Sequence, residues 1–191
     1  MKIPAVDMVP GRARLGSQTD LQGCFAVVLT MMSICFSISA QAYDLTVLPP
    51  PQGETVLEVR GALSKLNRDD AAHFDMEMLK ALPATRLETT TAVTDGVRSF
   101  DGFLMRDLLD HVGAQGSMVT ASALNDYAID IAIDEFDRFD VLVAYEMDGK
   151  PLLPSDKGPL WIVYPRDQHA ELQDIRYDYR WVWQLTGLDI K

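Results

Sequence analysis

The sequence predicts an α+β domain, mostly strands with two or more helices between them. Three observations carry that prediction. Short runs rich in β-branched and aromatic residues recur, each fenced by glycine, proline or Asp-Gly. Helical spacing of apolar residues is confined to two stretches. The chain has 191 residues and 48% hydrophobic content, enough for one globular domain with a core of its own.

The elements follow in order. Lys2, Arg12 and Arg14 make a basic start, and no charged residue stands from Leu21 through Tyr43. The apolar run Phe25–Met32 continues through Ile34, Phe36 and Ile38 to Ala40-Gln41-Ala42, a small-x-small pattern that suits signal peptidase. Residues 1–42 therefore read as an export signal, which implies a periplasmic location. An uncleaved membrane anchor is the alternative, since about 20 apolar residues span a bilayer. Residues 43–54 form a lead-in that Pro49-Pro50-Pro51 keeps out of helix and inner strand. The domain proper is 55–191.

Thr55–Gly61 is the first strand, closed by its glycine. Asn67–Asp70 offers caps for a helix bearing Phe74, Met78, Leu79 and Leu82, which Pro83 ends. Thr85–Thr94 is β-branched and predicts a strand, with Asp95-Gly96 as its turn. Leu104, Leu108, Leu109 and Val112 repeat at helical spacing, and Gly113 stands at the C-cap. Beyond it the chain reads as strand: Met118–Ala121, Asp126–Ile133, the apolar Val141–Tyr145, the run opened by Gly158-Pro159, and Trp181–Ile190.

Charge and cysteine use narrow the chemistry. The formal net charge is −11, and −12 without residues 1–42, which hold three basic and two acidic residues. Such a domain lacks the basic footprint of a nucleic-acid binder. Both cysteines, Cys24 and Cys35, fall within the export signal, so the domain has no disulfide, thiolate nucleophile or sulfur ligand from cysteine. His73, His111 and His169 have no metal-ligand spacing, and the first two fall on expected helices. Asp130, Asp134, Glu135, Asp137 and Asp140 lack the central glycine of a calcium loop and read as a solvated strand end and turn. No nucleophile elbow, phosphate loop or dinucleotide fingerprint is present, so no catalytic residue is assigned.

All three tryptophans lie in two short runs, GPLWIVYP (158–165) and RWVWQL (180–185). Polar residues at strand ends gather near them in sequence: Tyr164, Arg166, Asn125 with Tyr127, and Thr89–Thr91. Aromatic faces, hydroxyls and a guanidinium suit a flat polar heterocycle.

The ordered motifs FDGFLMRDLLDHVGA (100–114), ALNDY (123–127), DVLVAYEMDGKPL (140–152), GPLWIVYP and RWVWQL resemble the molybdopterin-binding domain of the sulfite oxidase family. The resemblance covers about residues 55–191 and implies that family's mixed-sheet fold. Enzymes of the family hold molybdenum with a cysteine thiolate on the strand before the Gly-Leu-Leu helix. Here Leu87–Thr94 supplies Thr89-Thr90-Thr91 instead, and hydroxyls are poor ligands for a centre that expects a soft thiolate.

The chain is thus similar to cysteine-free, exported members of this fold that bind a molybdenum-free pterin and act as sensors. That resemblance implies a partner, the periplasmic part of an inner-membrane enzyme of cyclic di-GMP signalling. It also implies, by position, pterin contacts from Arg180, Trp181, Trp161, Asn125, Tyr127, Thr90 and Thr91, with Tyr164 and Arg166 beside them. Trp161 and Trp181 are expected to face the ligand, and Trp183 to alternate into the core. A molybdopterin-dependent oxidoreductase with unusual metal ligation is the alternative, and an interaction domain with a decayed pocket a third.

Overall fold

The computed structural model describes residues 47–191, so the expected export signal lies outside the described residues. Among the described residues ten strands and four short α-helices make a mixed α+β architecture, as the sequence predicts. Two five-stranded sheets carry it.

The first sheet has the order β2-β1-β10-β5-β6, from Ala71–Phe74, Leu57–Gly61, Leu185–Ile190, Met118–Ala123 and Ala128–Ala132. Its β1 and β10 run parallel, pairing Glu58 with Gly187 and Gly61 with Ile190, and its other pairs are antiparallel. The second sheet joins β3 (Ala84–Thr89), β4 (Arg98–Leu104), β7 (Leu142–Met147) and the two-residue β8 (Lys150–Pro151). The short β9 (Trp161–Val163) pairs antiparallel with β7. Asp148 and Gly149, at φ 52° and 72°, close the β7–β8 hairpin with positive φ at both turn residues, as a type I′ turn requires.

The strands that read as continuous apolar runs are those covered on both faces. Leu142, Val143 and Ala144 of β7 and all three residues of β9 are buried. Where one face meets water, burial alternates, as in β5. Helix α2 (Met105–Val112) buries Met105, Leu108, Leu109 and Val112 on one stripe. Gly113 ends it in the left-handed conformation at φ 62°, ψ 50°, and a Cβ there would strike the Ser64 hydroxyl. Gly102 lies where β4 crosses β7 so closely that a Cβ would collide with the Val143 carbonyl oxygen.

Three expectations are corrected. The stretch from Asn67 to Leu82 is not one helix. Arg68–Ala71 makes a tight turn, β2 follows, and only Met76–Lys80 is helical (α1). The cap is Asp75, which accepts hydrogen bonds from the backbone N–H of Met78 (2.9 Å), Gln52 (2.7 Å) and Gly53 (2.8 Å). His73 accordingly stands on a strand, its Nδ1 without a hydrogen bond among the described residues and 3.9 Å from the Glu58 carboxylate. The strand expected over 85–94 stops at Thr89, because Thr91 turns the chain through its own hydroxyl. Of the acidic series, Asp130 stands on strand β6, but Asp134, Glu135 and Asp137 belong to helix α3 (Ile133–Phe139), anchored by buried Phe136 and Phe139 one turn apart and closed by Asp140 in the left-handed conformation.

Candidate functional site

The described residues enclose a cavity of about 370 Å³, within the range of small-molecule sites. Four chain segments meet around it. Ala92 and Val93 follow the turn made by Thr91, whose Oγ1 accepts from the N–H groups of Val93 (3.1 Å) and Thr94 (2.9 Å). Ala123, Asn125 and Tyr127 come from the β5–β6 turn, where Asp126 adopts φ 64° and the Asn125 side chain accepts from the Tyr127 N–H at 3.2 Å. Helix α4 (Ile175–Asp178) and Tyr179 form a third wall, and Trp181–Trp183 the fourth.

Two local devices hold these walls. Tyr127 donates its hydroxyl to the Tyr179 carbonyl at 2.7 Å, tying the turn to the segment after α4. Burial, with the Tyr179 phenol beside it, raises the Tyr127 pKa and keeps that proton in place at neutral pH. Asp174 caps α4 by accepting from the Arg176 N–H at 2.9 Å, and its carboxylate also grips the Arg176 guanidinium at 3.0 and 2.9 Å. Those bonds hold its pKa down at about 2.

Aromatic rings dominate the lining. Tyr127, Tyr179, Trp181 and Trp183 all contribute, and no wall residue is a lysine or arginine. The wall's one carboxylate is Asp178. Its Oδ1 is buried with no hydrogen-bond partner and the residue makes no ion pair among the described residues. Trp181 lines the same cavity with a buried, unpartnered Nε1–H.

Of the residues expected to touch a ligand, Asn125, Tyr127 and Trp181 are brought together in this wall. The others stand elsewhere. Trp161 is 0% exposed, so no face of it is available for stacking. Strand β9 places it beside β7, paired with Ala144, with the Phe100 ring edge-on at 5.4 Å and Trp181 at 6.2 Å. Trp183, expected in the core, is 36% exposed and lines the cavity. Residues two apart on an extended chain point the same way, so Trp183 accompanies Trp181 instead of opposing it.

Tyr164 is fully buried and its hydroxyl faces Glu135 at 3.4 Å. Burial above all, then the Glu135 carboxylate, pushes its pKa well above the usual phenol value. Arg180 is not a free ligand clamp, because it pairs with Glu135 of α3 and lies over the Tyr177 ring at 4.7 Å. Thr90 spends its N–H (2.6 Å) and hydroxyl (2.5 Å) on the Asp167 carboxylate, and the Thr91 hydroxyl is engaged in the local turn. Arg166 flanks this contact outside the wall.

Sequence reasoning missed Asp178, Tyr179 and Trp183. The two-residue spacing of Trp181 and Trp183 is the signal that finds the last of these. DIRYDYR (174–180) carries none, since its polar residues suit any exposed turn.

Among the described residues no group of histidine, cysteine, aspartate or glutamate is placed to hold a metal ion, and no helix is long and apolar enough to cross a membrane. No curated protein matches the sequence. Among solved structures the chain is similar to the sulfane dehydrogenase SoxCD from Paracoccus pantotrophus, with 18% identity and a TM-score of 0.53. That likeness covers 70% of this chain and only 37% of the SoxCD chain, and it extends to the sulfite oxidase-type fold alone. Residues 57–170 match the oxidoreductase molybdopterin binding domain, and the chain belongs to that family.

Proposed function

We propose that this chain is an exported pterin-binding protein acting as a periplasmic sensor, and that its partner is a membrane-bound enzyme of cyclic di-GMP signalling. The observation that carries the reading is the cavity. It is walled by four aromatic rings, on a molybdopterin-binding fold, in a domain without cysteine. Stacked rings hold a flat bicyclic ligand by area and dispersion.

The residues present do not fit a molybdenum centre. The hydroxyls of Thr90 and Thr91 are consumed by Asp167 and by the local turn, and no thiolate stands in their place. Nor do they fit the phosphate of a full molybdopterin, which calls for cationic or N–H-rich surroundings. The wall offers Asp178 instead. Of the cavity's lining, Val93, Ile175 and Tyr179 are exposed, an apolar rim that supports a docking protein. Family membership favours a second reading, a molybdopterin-dependent oxidoreductase with unusual metal ligation.

One sample separates the readings. Protein purified from the periplasm without added ligand is denatured, released pterin is quantified by fluorescence-detected chromatography, and molybdenum is assayed alongside. Pterin near one per chain without metal is the expected result. Stoichiometric molybdenum would return the protein to the oxidoreductases. In a pterin titration, Trp183→Ala should weaken binding by at least ~1 kcal/mol, the scale of one lost aromatic pair.

A further inference from the structure

We infer that Asp178 is the specificity-determining residue of this cavity, reading the paired N–H donors of an amino-amide edge and turning away anionic ligands. The inference rests on the reading of the cavity as a pterin site. It names the side chain that would recognise the ligand and the chemical class of ligand that results.

The argument is one of elimination among the polar atoms of the wall. The Asn125 carbonyl oxygen is committed to the Tyr127 N–H, and the Tyr127 hydroxyl proton to the Tyr179 carbonyl. Two buried polar atoms are left without partners, the Asp178 Oδ1 and the Trp181 Nε1–H. A buried polar group without a partner destabilises a fold, so such groups are rare and call for an explanation. The two guanidiniums nearest in sequence, Arg176 and Arg180, are held by Asp174 and Glu135. Asp178 is therefore a half-buried carboxylate on an aromatic wall, with one oxygen buried and no ion pair among the described residues.

A carboxylate in such surroundings favours a partner that supplies two adjacent N–H groups in one plane, as an arginine fork does. The 2-amino-4-oxo edge of a pterin has that arrangement, with its N3–H and 2-amino group side by side. A ligand acceptor can take the Trp181 N–H from another edge of the same plane. A phosphate or carboxylate brought to the same wall would meet like charge at low dielectric. The class selected is a flat, uncharged heterocycle carrying an amino-amide edge.

The test uses fluorescence titration of pterin and of lumazine, which has an oxo group where pterin has its 2-amino group. Wild type, Asp178→Asn and Trp183→Ala are compared, each checked for wild-type thermal unfolding. Wild type is expected to prefer pterin by about tenfold or more, the scale of a hydrogen bond to a charged group. Asp178→Asn should lose that preference. Equal affinity of wild type for the two ligands, or a preference unchanged in Asp178→Asn, would overturn the assignment. If Trp183→Ala weakens pterin while Asp178→Asn leaves the preference intact, the cavity reading stands and the role of Asp178 falls. If wild type binds neither compound, both fall together.

Discussion

Trp161 shows how much a single ring contributes here. It is sealed between β7, the Phe100 edge and Trp181, with the Lys157 ammonium 5.9 Å from the ring centre. Trp161→Ala should cost about 3–5 kcal/mol of folding stability, as truncations of large buried aromatics do. Denaturant unfolding at constant slope is the check, and a change below ~1 kcal/mol would contradict the packing described. The neighbouring Trp183 should behave in the opposite way, changing affinity more than stability. At this scale the sequence was only half readable. Asn125, Tyr127 and Trp181 were found from motif order, whereas Arg180 and Thr90 looked like ligand groups until their partners, Glu135 and Asp167, were seen. Those partners lie 45 and 77 residues away in sequence, a separation no local pattern reports.

Among the elements, helix α4 is short and exposed, so its ends decide whether it persists. Its Asp174 cap is strengthened chiefly by the Arg176 side chain and then by the Arg176 N–H, with a pKa of about 2 against an ordinary 3.8. The sign follows from the direction. A lowered carboxyl pKa contributes stability in full above 3.8, and the contribution is lost as pH falls through about 2. Carboxyl NMR titration should place Asp174 near 2 in wild type and closer to 3.8 in Arg176→Met. An unmoved midpoint would mean the guanidinium is not the cause.

Element by element, legibility tracked periodicity. Helix α2 was readable because its apolar stripe and Gly113 agree. Helix α3 was not, since only Phe136 and Phe139 anchor it and its acidic positions resemble a turn. Strand β2 hid inside a helix-like apolar spacing that pairing with β1 overrode.

For the molecule as a whole, the first and last strands of the described domain lie side by side. Strand β10 sits between β1 and β5, and its loss would leave two separate hairpin-like pairs, β1 with β2 and β5 with β6. A two-stranded pair is marginal in water. A chain ending at Gln184 should therefore show no cooperative thermal transition in far-UV circular dichroism, and a sharp transition would refute the centrality of β10. The mixed α+β class was legible from composition and turn signals, because both depend on local residues. The parallel β1–β10 pairing was not, because it joins positions more than a hundred residues apart and leaves no local trace.

That placement also has a consequence in time. A polypeptide is made from its N-terminus, and β10, which joins the two halves of the first sheet, follows every other strand of that sheet out of the ribosome. Until β10 emerges the first sheet has its middle missing and cannot close, however long the earlier strands wait.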